Sequence, residues 1–159
     1  MSSTTYAASA SRAGLGPARR RLISASSGVL ALQLVLTAVA VAANWPAQFG
    51  GEGVDASAEF LTRGTAISAP LLPLFVLALS IAALLADRAV ALAGTLGVGV
   101  VAGLTVVGSL GEAVAAPTAE VGRAVLLASG AIGLLLAGLL IGLVLGTLRE
   151  LSRDRAGSR

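Results

Sequence analysis

The charged residues of this chain are clustered, and the clusters leave four long runs without any Asp, Glu, Lys or Arg. The runs cover residues 22–51, 64–86, 89–111 and 124–148, and each holds at least 23 residues. A membrane-spanning helix needs roughly 20 consecutive, mostly apolar residues. The pattern therefore predicts an all-α membrane protein with four transmembrane helices, at about 22–44, 67–86, 89–110 and 124–147.

One charged pair, Asp87-Arg88, separates the second and third runs. A single helix over residues 64–110 would be about 70 Å long, whereas the hydrocarbon core of a bilayer is roughly 30 Å thick. The chain must reverse where water can satisfy its backbone, which is at the level of the headgroups. Asp87-Arg88 is therefore predicted to be a very short loop, although it contains no Gly, Pro or Asn.

The placement of arginine predicts the orientation of the spans. Nine arginines lie on the side of the N-terminus, the short loop and the C-terminus, and only Arg63 and Arg123 lie on the other side. Arginine-rich flanks stay in the cytoplasm, so both termini are predicted to be cytoplasmic. Trp45 and Phe49, at the outer end of the first span, are typical of the aromatic belt at a membrane interface.

The composition narrows the possible chemistry. The 159 residues are 56% hydrophobic and only 12% charged, whereas soluble domains carry about 25% charged residues. Because Cys and His are absent, disulfides, thiol chemistry, His- or Cys-bound zinc and His-ligated haem are excluded, and no cofactor is expected. The basic residues lie beside the predicted spans, so we expect them to favour anionic lipid at the cytoplasmic face and expect no nucleic-acid partner.

The basic residues are all Arg, and Ala and Gly are abundant. This composition resembles that of proteins encoded by a GC-rich bacterial genome. It therefore indicates a multi-pass protein of a bacterial plasma (inner) membrane. Residues 1–21 are predicted to be a disordered cytoplasmic tail, 22–148 the transmembrane domain, and 149–159 a charged cytoplasmic tail. The first run also resembles a signal peptide cleaved near Asn44. Because it is longer than the usual 7–15 apolar residues or so, a retained span is the favoured interpretation.

The first span carries a narrow polar stripe, formed by Gln33, Thr37 and Asn44. At about 100° per residue, the three side chains fall within about 40° of one another. They should therefore face other helices and not lipid. We interpret the stripe as interhelical hydrogen bonds, each worth roughly 0.6 kcal/mol, and the lining of a solute path is the alternative.

Small residues recur at four-residue steps in the last two predicted spans. They include Gly99 and Gly103 in the third span and Gly138, Gly142 and Gly146 in the fourth. Small residues let helix backbones approach closely in a membrane. These glycines are therefore predicted to pack against another helix, either within one chain or between two copies.

Two outer loops resemble each other. The first, "GEGVDASAEFLTRG", holds Glu59 and Arg63 at the i,i+4 spacing of a helical ion pair. The second, "GEAVAAPTAEVGRA", lies about 60 residues further on and holds Glu120 and Arg123. The likeness suggests a duplication of two parallel hairpins. The four charged residues are the candidate outer-face polar site, and solvated ion pairs worth about 0–1 kcal/mol are the alternative.

No ionisable residue lies inside a predicted span, whereas proton relays and coupled pumps usually place such residues there. The predicted function is therefore that of a non-enzymatic small integral membrane protein, which acts through helix association with itself or with a membrane partner. A small passive or oligomeric transport protein, with the polar stripe lining its path, is the alternative. A membrane enzyme that acts at the outer face through Glu59 or Glu120 is the third interpretation.

Overall fold

The computed structural model describes residues 15–47, 55–114 and 121–156, without the side chains of residues 154–156. Every regular element within these ranges is a helix, as predicted. The helices are α1 (Pro17–Ala42), α2 (Ala56–Glu59), α3 (Leu71–Leu84), α4 (Arg88–Val114) and α5 (Arg123–Ala156). By length and apolar composition, α1, α4 and α5 can each cross a membrane, whereas α3 has only 14 residues. The described residues thus contain three helices of spanning length, and not the four predicted.

Proline explains why α3 is shorter than the predicted span 67–86. Pro70 caps the helix with an extended backbone, at φ −55° and ψ 159°, and the residue before a proline disfavours the helical region. Pro73 is the third helical residue, where a missing N–H removes no bond within the helix. The helix is therefore about 21 Å long, and residues 64–70, which precede it, form an irregular segment.

Both predicted tails are partly helical. The first helix begins at Pro17, which suits a first helical position because its fixed φ is helical, so residues 17–21 belong to α1. The last helix continues to Ala156 and includes most of the predicted C-terminal tail. One charged residue in each region, Arg19 in α1 and Glu150 in α5, binds backbone groups of a neighbouring helix, and these bonds support the helical structure of both regions.

The ends of four helices meet at one end of the molecule, where charged side chains bind their backbone groups. The carboxylate of Glu150 on α5 accepts hydrogen bonds from the amides of Ala18, at 2.9 Å, and Arg19, at 3.4 Å, in the first turn of α1. The buried guanidinium of Arg19 donates to the carbonyls of Leu84 and Ala86, where α3 ends. Each charge has the sign that suits the helix dipole it meets. We call this region the capped end.

The very short loop predicted at Asp87-Arg88 is confirmed, because three residues join α3 to α4. Asp87 accepts hydrogen bonds from the amides of Ala89 and Val90, each at 3.1 Å, and so caps the N-terminus of α4. Arg88 donates to the carbonyl of Leu151 on α5. The start of α1, the loop and the last turns of α5 therefore share the capped end.

The four longer helices form a closed ring, in which α1 and α4 each contact both α3 and α5. The packed core fills the half of the ring nearest the capped end. Its buried members come from all four helices. They are Leu22, Leu77, Leu84, Val98, Val101, Ala102, Leu140 and Val144.

The closest approach of α3 and α4 is formed by a serine and two glycines. Ser80 of α3 lies against Gly94 and Gly97 of α4. A Cβ atom added at Gly94 would lie 2.7 Å from the carbonyl oxygen of Ser80, and one at Gly97 would overlap its hydroxyl. Only glycine allows the two helices to lie this close.

The same arrangement recurs between α4 and α5. Ser109 of α4 lies against Gly130 and Gly133 of α5, and a Cβ atom at Gly130 would lie 2.8 Å from the Ser109 carbonyl oxygen. Further along α5, the buried residues follow at alternating steps of three and four, the spacing of a helix that packs along a seam. They are Ala137, Leu140, Val144, Thr147 and Leu151.

The contact between Ser80 and Gly94 predicts which glycines are essential to the fold. We expect Gly94→Leu to destabilise the protein by about 1–3 kcal/mol, because the new side chain enters a close-packed contact. Gly103→Leu in the same helix is the matched control, since a Cβ atom there meets nothing within 4 Å. Thermal unfolding in detergent measures both. Equal melting temperatures for the two variants would contradict the packing described here.

Candidate functional site

A cavity of about 510 Å³ lies toward the end of the molecule opposite the capped end, which we name the outer end after the orientation predicted from the sequence. Its wall comes from α1, α4, α5, the start of α3 and the irregular segment before it. Most of the lining is apolar, and Leu36, Leu104, Ile132 and Leu136 contribute to it. Ligand pockets typically measure about 300–1,000 Å³ and combine an apolar lining with a few polar groups. The cavity therefore has the size and character of a binding site.

Nine of the 23 residues that line the cavity have polar side chains. They include Gln33 from the predicted stripe, Arg63 from the predicted outer-face site and Trp45 from the predicted interface belt. Glu112 of α4 also lines the cavity, and its carboxyl group is hydrogen-bonded to the hydroxyl of Ser129 on α5. The wall thus carries one basic group, Arg63, and one acidic group, Glu112, within a mostly apolar surface.

Glu112 is a site residue that the sequence reasoning missed. The third span was predicted to end at residue 110, but α4 continues to Val114 and carries Glu112 in its last two turns. A charge ends an apolar run, but it does not end a helix. The available signal was the spacing of Thr105, Ser109 and Glu112, which places three polar residues on one helical face, and all three line the cavity.

The inner part of the polar stripe binds the irregular segment and not another helix. The Gln33 side-chain oxygen accepts a hydrogen bond from the amide of Ala69 at 3.0 Å. Thr37 Oγ1 donates to the Gln33 carbonyl oxygen at 2.8 Å and lies 2.8 Å from Ser68 Oγ. These two side chains therefore supply hydrogen-bond partners to a segment that has no helical bonds of its own.

The outer part of the stripe organises the loop that follows α1. Asn44 has a left-handed backbone, with φ 51°, and its side-chain oxygen accepts from the amide of Ala56 at 3.1 Å. Asp55 caps α2 by accepting from the amide and the hydroxyl of Ser57, each at 2.8 Å. The hydroxyl bond and then the amide bond of Ser57 lower the pKa of Asp55. Each side chain of the stripe thus bonds to a described part of the connection between α1 and α3.

The irregular segment is buried, and its backbone is bonded without a helix. Thr65, Ala66 and Ser68 are all buried. The Thr65 amide donates to the Ser68 carbonyl at 3.1 Å, and the Ala66 amide donates to the Trp45 carbonyl at 3.2 Å. The turn into the segment uses Gly64 at φ 84°, a left-handed conformation that favours glycine.

Glu59 and Arg63 form the ion pair that their spacing predicts, with 3.5 Å between Oε1 and the guanidinium nitrogen. Glu59 is only 9% exposed, and its other carboxylate oxygen accepts from the amide of Ala47 at 3.1 Å. Arg123 is exposed at the start of α5. Glu120 lies outside the described residues, as does Phe49. The outer-face site of four charges therefore stays a prediction, as does the duplication.

The glycines chosen from the sequence do not make the close contacts within the chain. A Cβ atom at Gly103, Gly138, Gly142 or Gly146 would meet nothing within 4 Å, and one at Gly99 would make an ordinary contact of 3.6 Å with Val144. Gly94, Gly97, Gly130 and Gly133 make the close approaches instead. Packing of the row in α5 against a second copy or a partner stays a prediction.

The lengths and composition of α1, α4 and α5 are those of membrane-spanning helices, and the fold is compatible with a helical multi-pass membrane protein. The comparison with known proteins adds no closer relationship. The chain matches no protein-family model, no curated protein and no solved structure.

The hydrogen bond between the Ala69 amide and the Gln33 side chain predicts the effect of removing the side-chain amide of Gln33. We expect Gln33→Met to destabilise the protein by about 1–3 kcal/mol, because it leaves the Ala69 amide without an acceptor. Leu34→Met, at an exposed neighbouring position, is the control. Thermal unfolding in detergent compares the two. If Gln33→Met unfolds at the same temperature as Leu34→Met, the irregular segment does not depend on this bond.

Proposed function

We propose that this chain is an integral membrane protein that crosses the membrane four times, with both termini in the cytoplasm. It acts without catalysis, through association of its last helix with a second copy or with a membrane partner. The bacterial plasma membrane is its proposed location. Gly138, Gly142 and Gly146 form a row along α5, which we call the glycine row. The observation that supports the association is the open space beside this row.

The direction of the helices supports four crossings. The first residues of α1 and α4 both lie at the capped end, where Arg19 and Arg88 bind α3 and α5 respectively. The chain leaves this end along α1, so it must return before α4 begins. The irregular segment and α3 make that return. If α1, α4 and α5 cross the membrane, α3 and its segment cross it as well.

The burial of the segment removes the main objection to a short third helix. Backbone that is not helical is tolerated at membrane depth where it is buried in protein and bonded. The irregular segment meets this condition through Gln33 and Trp45. On the outer surface of α3, Leu72 is 69% exposed, and Phe75 and Leu79 are also exposed. Such a surface suits contact with lipid.

The arginine distribution supports a cytoplasmic capped end. The described arginines near it are Arg19, Arg20, Arg21, Arg88, Arg149 and Arg153. Among the arginines that the structure describes, Arg63 and Arg123 alone lie toward the outer end. Arginine-rich flanks stay in the cytoplasm, and each exposed arginine there attracts anionic lipid by about 1 kcal/mol.

The glycine row supports association because no described helix of the same chain packs closely against it. The chain's own close contacts use Gly94, Gly97, Gly130 and Gly133, on the faces that α3, α4 and α5 turn toward one another. Gly138 and Gly142 lie on an exposed face of α5. Glycine rows of this kind let helix backbones approach in membranes, where dispersion and close packing drive association. The row therefore fits a helix from another molecule.

The cavity, which Gln33 lines, favours a second candidate function, that of a passive transport protein. The packed core, however, fills the half of the ring between the cavity and the capped end. A path through a single chain would have to open that core. Transport is therefore the weaker proposal, and it would require a path formed between several copies.

The orientation predicts the behaviour of reporter fusions. A reporter inserted at Asp87, and one fused after Arg159, should both be active in the cytoplasm, because the loop and the end of α5 lie at the arginine-rich side. A reporter inserted at Pro117, between α4 and α5, should be active outside. A cytoplasmic signal at Pro117, or an external one at Asp87, would refute the proposed orientation of the helices.

The glycine row predicts the effect of a branched side chain on association. We expect Gly142→Ile to remove the oligomer detected by crosslinking in native membranes, because overpacking such a contact costs about 1–3 kcal/mol. The thermal stability of the monomer in detergent should change little, since no atom of another described helix lies within 4 Å of the new Cβ atom.

Gly28→Ile in α1 is the matched control for this experiment. Gly28 is also helical and exposed, and it also has open space beside it, but it does not belong to a glycine row. Its oligomer should be unchanged. If Gly142→Ile keeps the oligomer as Gly28→Ile does, the glycine row faces lipid and the association proposal fails.

A further inference from the structure

We propose that the outer cavity binds one membrane phospholipid, whose acyl chain fills the apolar part and whose zwitterionic headgroup contacts Arg63 and Glu112. The proposal rests on the membrane insertion proposed above but not on the association of α5. It assigns a ligand to the cavity from three features: where the cavity opens, what lines it, and which charges it carries.

The wall of the cavity reaches the exposed sides of α4 and α5, and we take this as its opening. Three apolar residues on its wall, Leu104, Val107 and Ile132, are 52%, 60% and 51% exposed. Ile132 lies nine residues after the start of α5, a distance of about 14 Å along the helix. This is about half of a hydrocarbon core of roughly 30 Å. In a membrane, the molecules that meet this opening are acyl chains.

The lining favours an apolar occupant over water. Buried water needs two to four polar partners, about three on average, and apolar cavities stay dry or take up apolar molecules. Leu36 and Leu136 add to the apolar lining. The hydroxyls of Thr65, Ser68 and Thr105 also line the cavity, but each already has a hydrogen-bond partner within the protein. The polar atom of Gln33 that accepts a hydrogen bond already binds the Ala69 amide. An acyl chain therefore suits the apolar part of the cavity better than water does.

The charges favour a zwitterionic headgroup. Arg63 and Glu112 both line the cavity, and Arg63 also pairs with Glu59. When all three are ionised, they sum to one negative charge. A phosphate group can accept charge-assisted hydrogen bonds from the guanidinium of Arg63, and an ammonium group can donate them to Glu112. A lipid with a net negative headgroup offers Glu112 no such partner.

Trp45 provides the measurement, because it is the only Trp of the chain and lines the cavity. The probe is phosphatidylethanolamine with a brominated acyl chain, added to the full-length protein in detergent. Bromine quenches indole fluorescence at short range. We expect quenching that saturates at one lipid per chain. Quenching that only rises in proportion to lipid concentration would overturn the site.

Two substitutions in α5 separate the cavity from the general lipid surface. Ala128 and Ala131 are both exposed alanines, but only Ala128 lines the cavity. We expect Ala128→Phe to weaken saturable quenching at least about tenfold by filling the cavity, and Ala131→Phe to leave it unchanged. Equal titrations for the two variants would place the lipid elsewhere and overturn the proposal.

The headgroup is tested with brominated phosphatidylglycerol, which carries a net negative charge and no ammonium. We expect it to bind roughly fivefold more weakly than phosphatidylethanolamine, and Glu112→Gln to abolish this difference. Equal affinity of the two lipids for the unmodified protein would overturn the assignment of the headgroup. The titration does not depend on the oligomer or on topology, so the crosslinking and reporter experiments fail or succeed separately from it.

Discussion

The fold depends on how a chain with so few polar side chains satisfies the backbone at its helix ends. Each helix leaves four amides and four carbonyls without partners, and in lipid an unsatisfied group costs several kcal/mol. Only 12% of the residues are charged, and at the capped end they are used for this purpose. Glu150 binds the amides of α1, Arg19 the last carbonyls of α3, Asp87 the amides of α4, and Arg88 a carbonyl of α5. Four of the charged residues that border the apolar runs thus hold the helix ends together.

At the outer end, side chains of α1 satisfy polar groups of the irregular segment, and the cavity is a consequence of this arrangement. Because Pro70 stops α3 from extending further outward, the outer half of the ring lacks the upper turns of one helix. An irregular segment takes their place, and Gln33 and Thr37 supply partners that helical bonds would otherwise provide. The segment does not fill the volume of a helix, and space remains between it and α4 and α5. A proline, a polar stripe and a cavity are therefore parts of one arrangement.

The sequence predicted the features that depend on where charges are, and not those that depend on which face of a helix is buried. The charge-free runs gave the long helices, and Asp87-Arg88 gave the loop. The helices are apolar on all sides, however, so their periodicity does not distinguish a face that packs from a face that meets lipid. For this reason the GxxxG spacing pointed to Gly138, Gly142 and Gly146, whereas the close contacts fall at Gly94 and Gly130. The pattern does not reveal Glu112 as a site residue, because α4 continues beyond the end of its apolar run.

The two proposed activities occupy different halves of the molecule, and the packing of each half suits its role. The glycine row lies along the half where Leu140 and Val144 of α5 are buried in the core, so the surface offered to another helix is backed by close-packed side chains. A rigid surface loses little conformational entropy on association, which lowers the cost of binding. The cavity lies in the other half, where an irregular segment takes the place of helical turns. A lipid there would supply the apolar contacts that the missing turns of α3 do not make, and association along the packed half would leave its entrance open.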